Sequence, residues 1–301
     1  MQAIFPIRSS IRLWLKAIRV HQWLKNFLVF VTLLAAHKVW DTHAAWAAIL
    51  AFFAFSFGCS AVYIINDLVD LPADRTHPRK KDRPLASGAL SVPAAITSIP
   101  ILLLISAVIC LGLPGRFSVV LVGYFFLTCL YSFWLKKQVI VDVMLLASLY
   151  TIRILAGAAA TSILPSFWLL AFSMFLFLSL ALIKRYSEIH ALHQETKAQA
   201  SGRGYYVSDE PILLGLGTAA GYGAVLILAL YIDSPDLEGL YPNRWALWLI
   251  LPPILYWISR VWLKAHRGEV HDDPVIFAVT DKQSWAVVLF LGGVLWLAAS
   301  H

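Results

Sequence analysis

Four oxygen-bearing side chains, Asn66, Asp67, Asp70 and Asp74, fall within the nine residues N-D-L-V-D-L-P-A-D. Asn66, Asp70 and Asp74 are spaced four apart, which on a helix puts them on one face, with Asp67 beside them. Carboxylates so crowded repel one another unless a cation or a proton sits among them. Hard oxygen donors with positions left for water suit Mg²⁺, which binds through one or two carboxylates and is completed by substrate phosphates. Bases follow at once: Arg75, Arg79, Lys80, Lys81 and Arg83. Acids that hold a metal, a metal that holds phosphate oxygens and bases that neutralise the remaining charge predict a diphosphate as the guest. The plain alternative is a solvated loop whose acids and bases pair with each other. Pro72 disfavours the helical region for Leu71 and removes a backbone donor. The helix is therefore expected to kink or end there, swinging Asp74 off the shared face.

Such a packet needs a scaffold, and the composition says which kind. Of 301 residues, 60% are hydrophobic and 14% charged, where a soluble domain is nearer half apolar and a quarter charged. The apolar residues come in uncharged blocks long enough to cross a hydrocarbon core of roughly 30 Å. The fold class is an all-α integral membrane protein. Nine spans are predicted, at 26–40, 44–66, 92–113, 117–134, 139–161, 166–183, 212–232, 245–263 and 285–299. With the N-terminus in the cytoplasm, loops on that side hold 20 of the 24 Lys and Arg residues. The far side holds only Lys38, Arg116 and Arg244, and Arg153 falls within a span. That bias predicts the N-terminus inside, and it places the acid packet at the cytoplasmic end of the second span. The net charge of +7 then serves in part to attract anionic lipid headgroups. Nucleic-acid binding needs a basic surface on a soluble domain, and the sequence offers none. One domain is expected over 1–301, with 1–25 an amphipathic cytoplasmic segment at the membrane surface and not a signal peptide. Cys59, Cys110 and Cys129 all lie in apolar blocks and read as buried thiols.

At the acid packet the chain resembles the UbiA superfamily of intramembrane transferases. That family's first motif is N-D-x-x-D-x-x-x-D followed by D-R-P-[LI]-x-[SA]-G, and this sequence has D-R-P-L-A-S-G at 82–88. The resemblance implies a helical bundle around a central cavity open to the cytoplasm. It also implies Asn66, Asp67, Asp70 and Asp74 as ligands of a Mg²⁺-bound diphosphate, with Arg75 and Arg83 nearby. The family's second motif, D-x-x-x-D after the sixth helix, is absent. The corresponding A-L-I-K-R-Y-S-E-I-H-A-L has one acid, Glu188, with Lys184, Arg185 and Tyr186 around it. Losing a carboxylate and gaining two cations shifts that position from metal binding to direct phosphate binding. In this departure the chain is similar to the decaprenyl-phosphate phosphoribosyltransferase-like branch. R-V-H-Q-W-L-K-N at 19–26, Y-S-F-W-L-K-K at 131–137 with Asp142, and G-R-G-Y at 202–205 add to the likeness. That branch implies 5-phosphoribosyl 1-diphosphate as donor, a polyprenyl phosphate as acceptor, and a bacterial inner membrane with the site facing the cytoplasm. A prenyltransferase acting on an isoprenoid diphosphate is the alternative, and a cation transporter a third reading that leaves D-R-P-L-A-S-G unexplained. Membrane lipid and a second copy of the chain complete the candidate partners.

Other residues join these by position. Gln22 and Lys25 open the first predicted span, where Lys25 either anchors to headgroups or binds phosphate. Lys136 and Lys81 lie in basic loops and are assigned to substrate phosphates, as is Arg203 in its glycine-flanked loop with Tyr205. Asp142, just inside the fifth span, needs a partner or a cavity and is read as a second metal ligand or an acceptor for a sugar hydroxyl. Asp142 or Glu188 is expected to face the positive charge developing on the sugar, with Asp70 and Asp74 the other acids of the reaction. Arg153 lies on the face of Asp142 but roughly 16 Å deeper, too far to pair with it. H-D-D-P at 271–274 is read as helix capping and not as a metal site.

Overall fold

The structure is a computed structural model that describes residues 7–76, 80–194, 204–237, 239–270 and 274–300. Among them every regular element is helical, as lipid requires of a chain that must satisfy its own backbone groups. Eight helices are long and apolar enough to cross a membrane. They coincide with eight of the nine predicted spans. Contacts divide the chain into two compact units, Met1–Ser132 with Ile152–Pro165 and Phe133–Thr151 with Ser166–His301.

The first unit begins with α1 (Ile7–Ala17), a 3-10 segment (Val20–Phe30) and α2 (Val31–Ala35). The predicted span 26–40 is thus not one long helix. An apolar run reports burial but not rise per residue, and a 3-10 turn rises about 2.0 Å per residue against 1.5 Å for an α-turn. The 16 residues Val20–Ala35 therefore reach about 30 Å with no long α-helix. His37 then takes a left-handed turn (φ 54°), and Asp41 caps α3 (Thr42–Val69) by accepting from Ala44 N. Next come α4 (Leu71–Thr76), α5 (Val92–Cys110), α6 (Gly115–Phe133) and the latter half of α7 (Val141–Thr161).

Small residues let these helices approach closely, as is usual where no hydrophobic effect drives helices together. Ala47, Ala51, Ala54, Gly58 and Ala61 are buried along α3, and Ser106 Oγ of α5 donates to Ala54 O at 2.7 Å. Gly157 of α7 is held even tighter, since a Cβ there would lie 1.9 Å from the Val29 carbonyl oxygen. Trp40 and Trp46, 92% and 61% exposed at the start of α3, have the character of an interfacial aromatic belt.

The second unit holds the first half of α7, then α8 (Phe167–Gln194), α9 (Glu210–Asp233), a 3-10 turn (Arg244–Ile250) leading into α10 (Leu251–His266), α11 (Pro274–Thr280) and α12 (Lys282–Ala299). A polar stitch ties three of them. Trp262 Nε1 of α10 donates to Ser179 Oγ of α8, which donates to Gly217 O of α9. Asp281 caps α12 by accepting from Ser284 N at 2.9 Å and takes two bonds from Arg260 at 2.8 and 3.0 Å. The capping expected of H-D-D-P falls on His271, Asp272 and Asp273, which lie outside the described residues.

Burial works against ionising Asp281, but Arg260 and Ser284 outweigh it and hold the carboxyl at about 2. A depressed carboxylate stabilises the fold above its unfolded pKa near 3.9, and that stability is lost as pH falls through about 2. Between about pH 4 and pH 2 the wild type is expected to lose more stability than Asp281→Asn, by on the order of 1 kcal/mol after solvent screening, and its Tm to fall correspondingly further. Parallel curves in an acid series of thermal melts would remove Asp281 from the acid response.

Candidate functional site

In the first unit the acid packet straddles a helix junction. The α3 helix ends at Val69, Asp70 is its C-cap with φ −85° and ψ 0°, and α4 starts at once at Leu71. Pro72 sits in the first turn of α4, where its missing N–H is one no helix would have used. The chain breaks there as predicted, yet Asp74 is not swung away. It is 2% exposed and Asp67 6%, and one guanidinium joins them. Arg83 Nη1 lies 3.1 Å from Asp67 Oδ1 and 2.5 Å from Asp74 Oδ2. Arg19 Nη2 reaches the same Asp67 oxygen at 2.5 Å, and Lys80 Nζ stands 3.9 Å from Asp74 Oδ1. Arg19 was missed by sequence reasoning although it opens R-V-H-Q-W-L-K-N. Its left-handed backbone (φ 53°) and its guanidinium, 5.1 Å from the Tyr63 ring centre, hold it against α3.

Asn66 and Asp70 are half-buried, whereas Arg75 and Lys81 are exposed; among the described bases Arg83 bonds the acids directly and Lys80 stands at ion-pair distance from Asp74, while Arg79 lies outside the described residues. Gln22 is half-buried and Lys25 is 9% exposed, which turns Lys25 inward, away from a headgroup anchor. Next to it, Asn26 Oδ1 accepts from Arg153 Nε at 3.0 Å and Asn26 Nδ2 donates to Ser56 Oγ at 3.0 Å. Arg153 also donates to Tyr124 Oη at 2.6 Å and lies over the Phe55 ring. This buried cation therefore ties the 3-10 segment to α3, α6 and α7.

The donor set of the packet is a carboxamide and carboxylates, the oxygen chemistry Mg²⁺ prefers. No group of three His, Cys, Asp or Glu converges into a metal cage among the described residues. The set fits a cation that takes one or two carboxylates and completes its shell with substrate oxygens, and does not fit an all-protein cage.

The second unit holds a different cluster. Asp142 in the first turn of α7 and Arg185 of α8 are both fully buried and lie 2.8 Å apart. Tyr205 Oη donates to Asp142 Oδ1 at 2.6 Å and accepts from Ile140 N at 2.8 Å. Burial, with the Asp142 carboxylate it bonds, pushes the Tyr205 phenol well above its ordinary pKa. Ile140 has φ 67°, a strained value for a β-branched residue that costs about 1–3 kcal/mol; its N–H bond to Tyr205 holds it there. Gly204 makes the approach feasible, because a Cβ would meet the Lys137 carbonyl oxygen at 2.7 Å. The predicted G-R-G-Y loop thus acts through Gly204 and Tyr205, while Arg203 lies outside the described residues.

Arg185 also pairs with Glu188, one turn on and partly exposed. Its Nε has no hydrogen-bond partner among the described residues. Lys184 and Lys136 are half-buried. Tyr186 points elsewhere: it is 1% exposed, bonds His266 Nδ1 at 2.8 Å and stacks on His190. Glu210 at the start of α9 meets His190 and His193 at 2.6 and 2.8 Å, contacts that no spacing in the sequence signalled.

Comparison with known proteins agrees with this architecture. Residues 26–285 match the model of the UbiA prenyltransferase family. The chain is 38% identical to the uncharacterized protein y4nM of Sinorhizobium fredii over 95% of its own length and 56% of that protein's. It is 35% identical to nodulation protein NoeC of Azorhizobium caulinodans over 92% of the chain and 90% of NoeC. It is also 38% identical to decaprenyl-phosphate phosphoribosyltransferase of Mycobacterium tuberculosis, over 58% of the chain and 59% of that enzyme. It therefore spans little more than half the length of two of these relatives. Among solved structures, a UbiA homologue from Archaeoglobus fulgidus bound to GPP and Mg²⁺ superposes with a TM-score of 0.69 at 16% identity, covering 94% of this chain and 99% of that one.

Proposed function

The chain belongs to the UbiA prenyltransferase family, and we propose that it is a transferase moving a 5-phosphoribosyl group from 5-phosphoribosyl 1-diphosphate to a polyprenyl phosphate, with release of pyrophosphate. The observation that carries this reading is the cluster around Arg185. Where the family's second motif would offer a pair of acids, this chain has Lys184 and Arg185, with Arg185 locked to Asp142 and Glu188. A donor with a diphosphate and a 5-phosphate, and an acceptor that is itself a phosphate, bring more negative charge than a prenyl diphosphate with an aromatic acceptor. The likeness to decaprenyl-phosphate phosphoribosyltransferase over 58% of the chain supports the same choice.

In the reaction, the bond from the ribose C1 to the diphosphate oxygen breaks and pyrophosphate leaves with the electron pair. An oxygen of the acceptor phosphate supplies the pair for the new C1–O bond. That oxygen is already anionic at neutral pH, so no general base is required. Asn66, Asp67, Asp70 and Asp74 would hold Mg²⁺, which when bound neutralises the leaving diphosphate. Arg83 and Arg19, now on Asp67 and Asp74, are placed to exchange those carboxylates for phosphate oxygens. Lys25, Lys136 and Lys184 serve the remaining phosphates. Glu188, with its partly exposed carboxylate, is better suited than Asp142 to face the positive sugar ring. The Asp142 charge is spent on Arg185, so Asp142 acts as its positioning residue.

The excess of Lys and Arg in one set of loops supports a site facing the cytoplasm, and the proposed reaction is assigned to a bacterial inner membrane. The second reading, isoprenoid transfer from a diphosphate, is favoured by the GPP-bound fold neighbour. The purified full chain with Mg²⁺, given 5-phosphoribosyl 1-diphosphate with a polyprenyl phosphate or geranylgeranyl diphosphate with an aromatic acceptor, separates the two by pyrophosphate release. Release with the first pair only is the expected result; release with the second pair only overturns the assignment.

A further inference from the structure

A groove of about 520 Å³ opens along α10 against the start of α12. None of its lining residues belongs to the two clusters described above. Its polar lining comes from Ser259, Arg260, Lys264, Arg267 and Gln283, and Tyr256 and Leu263 supply apolar wall. Tyr256, Arg260, Lys264 and Arg267 recur every three to four residues and so form one stripe of α10. Tyr256 and Leu263 are 53% and 49% exposed, on a helix apolar enough to span a membrane. Three cations on a stripe bordered by such residues are expensive in lipid unless they reach the headgroup layer and meet anions there.

Among the described residues the lining contains no carboxylate. Two acids stand at its edge and each already engages a cation, Asp281 with Arg260 and Glu269 with Lys264 at 2.9 Å. The bidentate bond to Asp281 uses two of the five N–H donors of Arg260 and fixes its guanidinium. Lys264 is further held with its ammonium 5.6 Å from the Phe277 ring centre. Gln283 Oε1 accepts from Tyr256 Oη at 3.2 Å, which leaves its amide N–H groups as donors. The groove therefore presents donors and positive charge, in a volume within the range that small-molecule sites occupy. Its apolar border separates two sources of phosphate: a free phosphate gains nothing from Tyr256 and Leu263, whereas a lipid lays its acyl chains along them.

We propose that this groove binds the headgroup of an anionic phospholipid, with Arg260, Lys264, Arg267 and Gln283 on the phosphodiester and the acyl chains running over the exposed face of α10. The test reconstitutes the full chain in phosphatidylcholine nanodiscs with and without phosphatidylglycerol, and reads the phosphatidylglycerol retained per protein by native mass spectrometry after extraction. Lys264→Gln/Arg267→Gln leaves the Arg260–Asp281 pair intact and is expected to lower phosphatidylglycerol affinity roughly 30-fold, from about a fivefold effect per basic residue at a membrane surface. The charge-keeping Lys264→Arg/Arg267→Lys should retain the lipid, and a monodisperse elution profile for each variant separates lost binding from lost folding. Lys16→Gln/Lys38→Gln removes two exposed charges elsewhere and should change retention less than threefold. An equal loss in that control means generic surface attraction and overturns the site. Displacement of the lipid by inorganic phosphate at matched concentration means a free-phosphate site and overturns it as well.

Discussion

Asp67→Asn is expected to lower transfer from a diphosphate donor by roughly 10³-fold, the scale seen when one preorganised charge-stabilising group is removed from an active site. Asp67 is one of the two buried carboxylates of the packet, and its Oδ1 is shared by Arg19 and Arg83. The substitution keeps the shape but removes the charge that organises both guanidinium groups and would help hold the metal. Folding should survive, because Arg19 and Arg83 are 22% and 29% exposed at their side chains and can be rehydrated. Arg75→Ala, at an exposed position, should stay within about tenfold of wild type, as surface substitutions usually do. If Asp67→Asn kept most of its activity and an unchanged Mg²⁺ requirement, the packet would be a structural salt-bridge cluster and the donor would bind elsewhere.

The second large effect falls on stability. Asp142→Ala removes the buried partner of Arg185 and the acceptor of Tyr205, and is expected to cost about 3–5 kcal/mol, the usual consequence of stranding a buried charge. Activity should be lost with it, because Arg185 would then be held only by Glu188. Asp142→Leu/Arg185→Leu separates the two consequences. Replacing a whole buried ion pair with apolar residues is often neutral or stabilising, so the double variant should recover most of the Tm lost by Asp142→Ala while remaining inactive. A double variant as unstable as the single one would place the stability in Tyr205 and its strained neighbour Ile140. Recovery of activity with Tm would mean that Arg185 plays no part in substrate binding.

How much of this was legible beforehand follows from sequence distance. Asn66, Asp67, Asp70 and Asp74 stand close enough along the chain for spacing to expose them, and so do the bases behind them. That Arg83 would join Asp67 to Asp74 was not readable, because Pro72 argued for divergence and only the immediate start of α4 cancels it. Arg19 is 48 residues from Asp67, and no periodicity links them. Tyr205 meets Asp142 across 63 residues, and here a glycine-flanked tyrosine was the only signal. Lys25 and Arg153 were visible as cations at membrane positions, but their partners were not. The long spans were readable because 20 apolar residues leave lipid few alternatives. The first is not one long α-helix, a difference the sequence hid because length in residues equals length in space only when the helix type is known.

The length of α3 has its own consequence. Its 28 residues make a rod of about 42 Å, against a hydrocarbon layer of about 30 Å. With Trp40 and Trp46 marking one boundary, the apolar slab is used up near residue 62, and Asn66 to Asp70 stand about 6–12 Å beyond it. That is the stratum occupied by the bilayer's own phosphates. The lipid-borne acceptor of the proposed reaction would travel with its reactive oxygen at this depth and so arrive by lateral diffusion alone, its tail never leaving the oil.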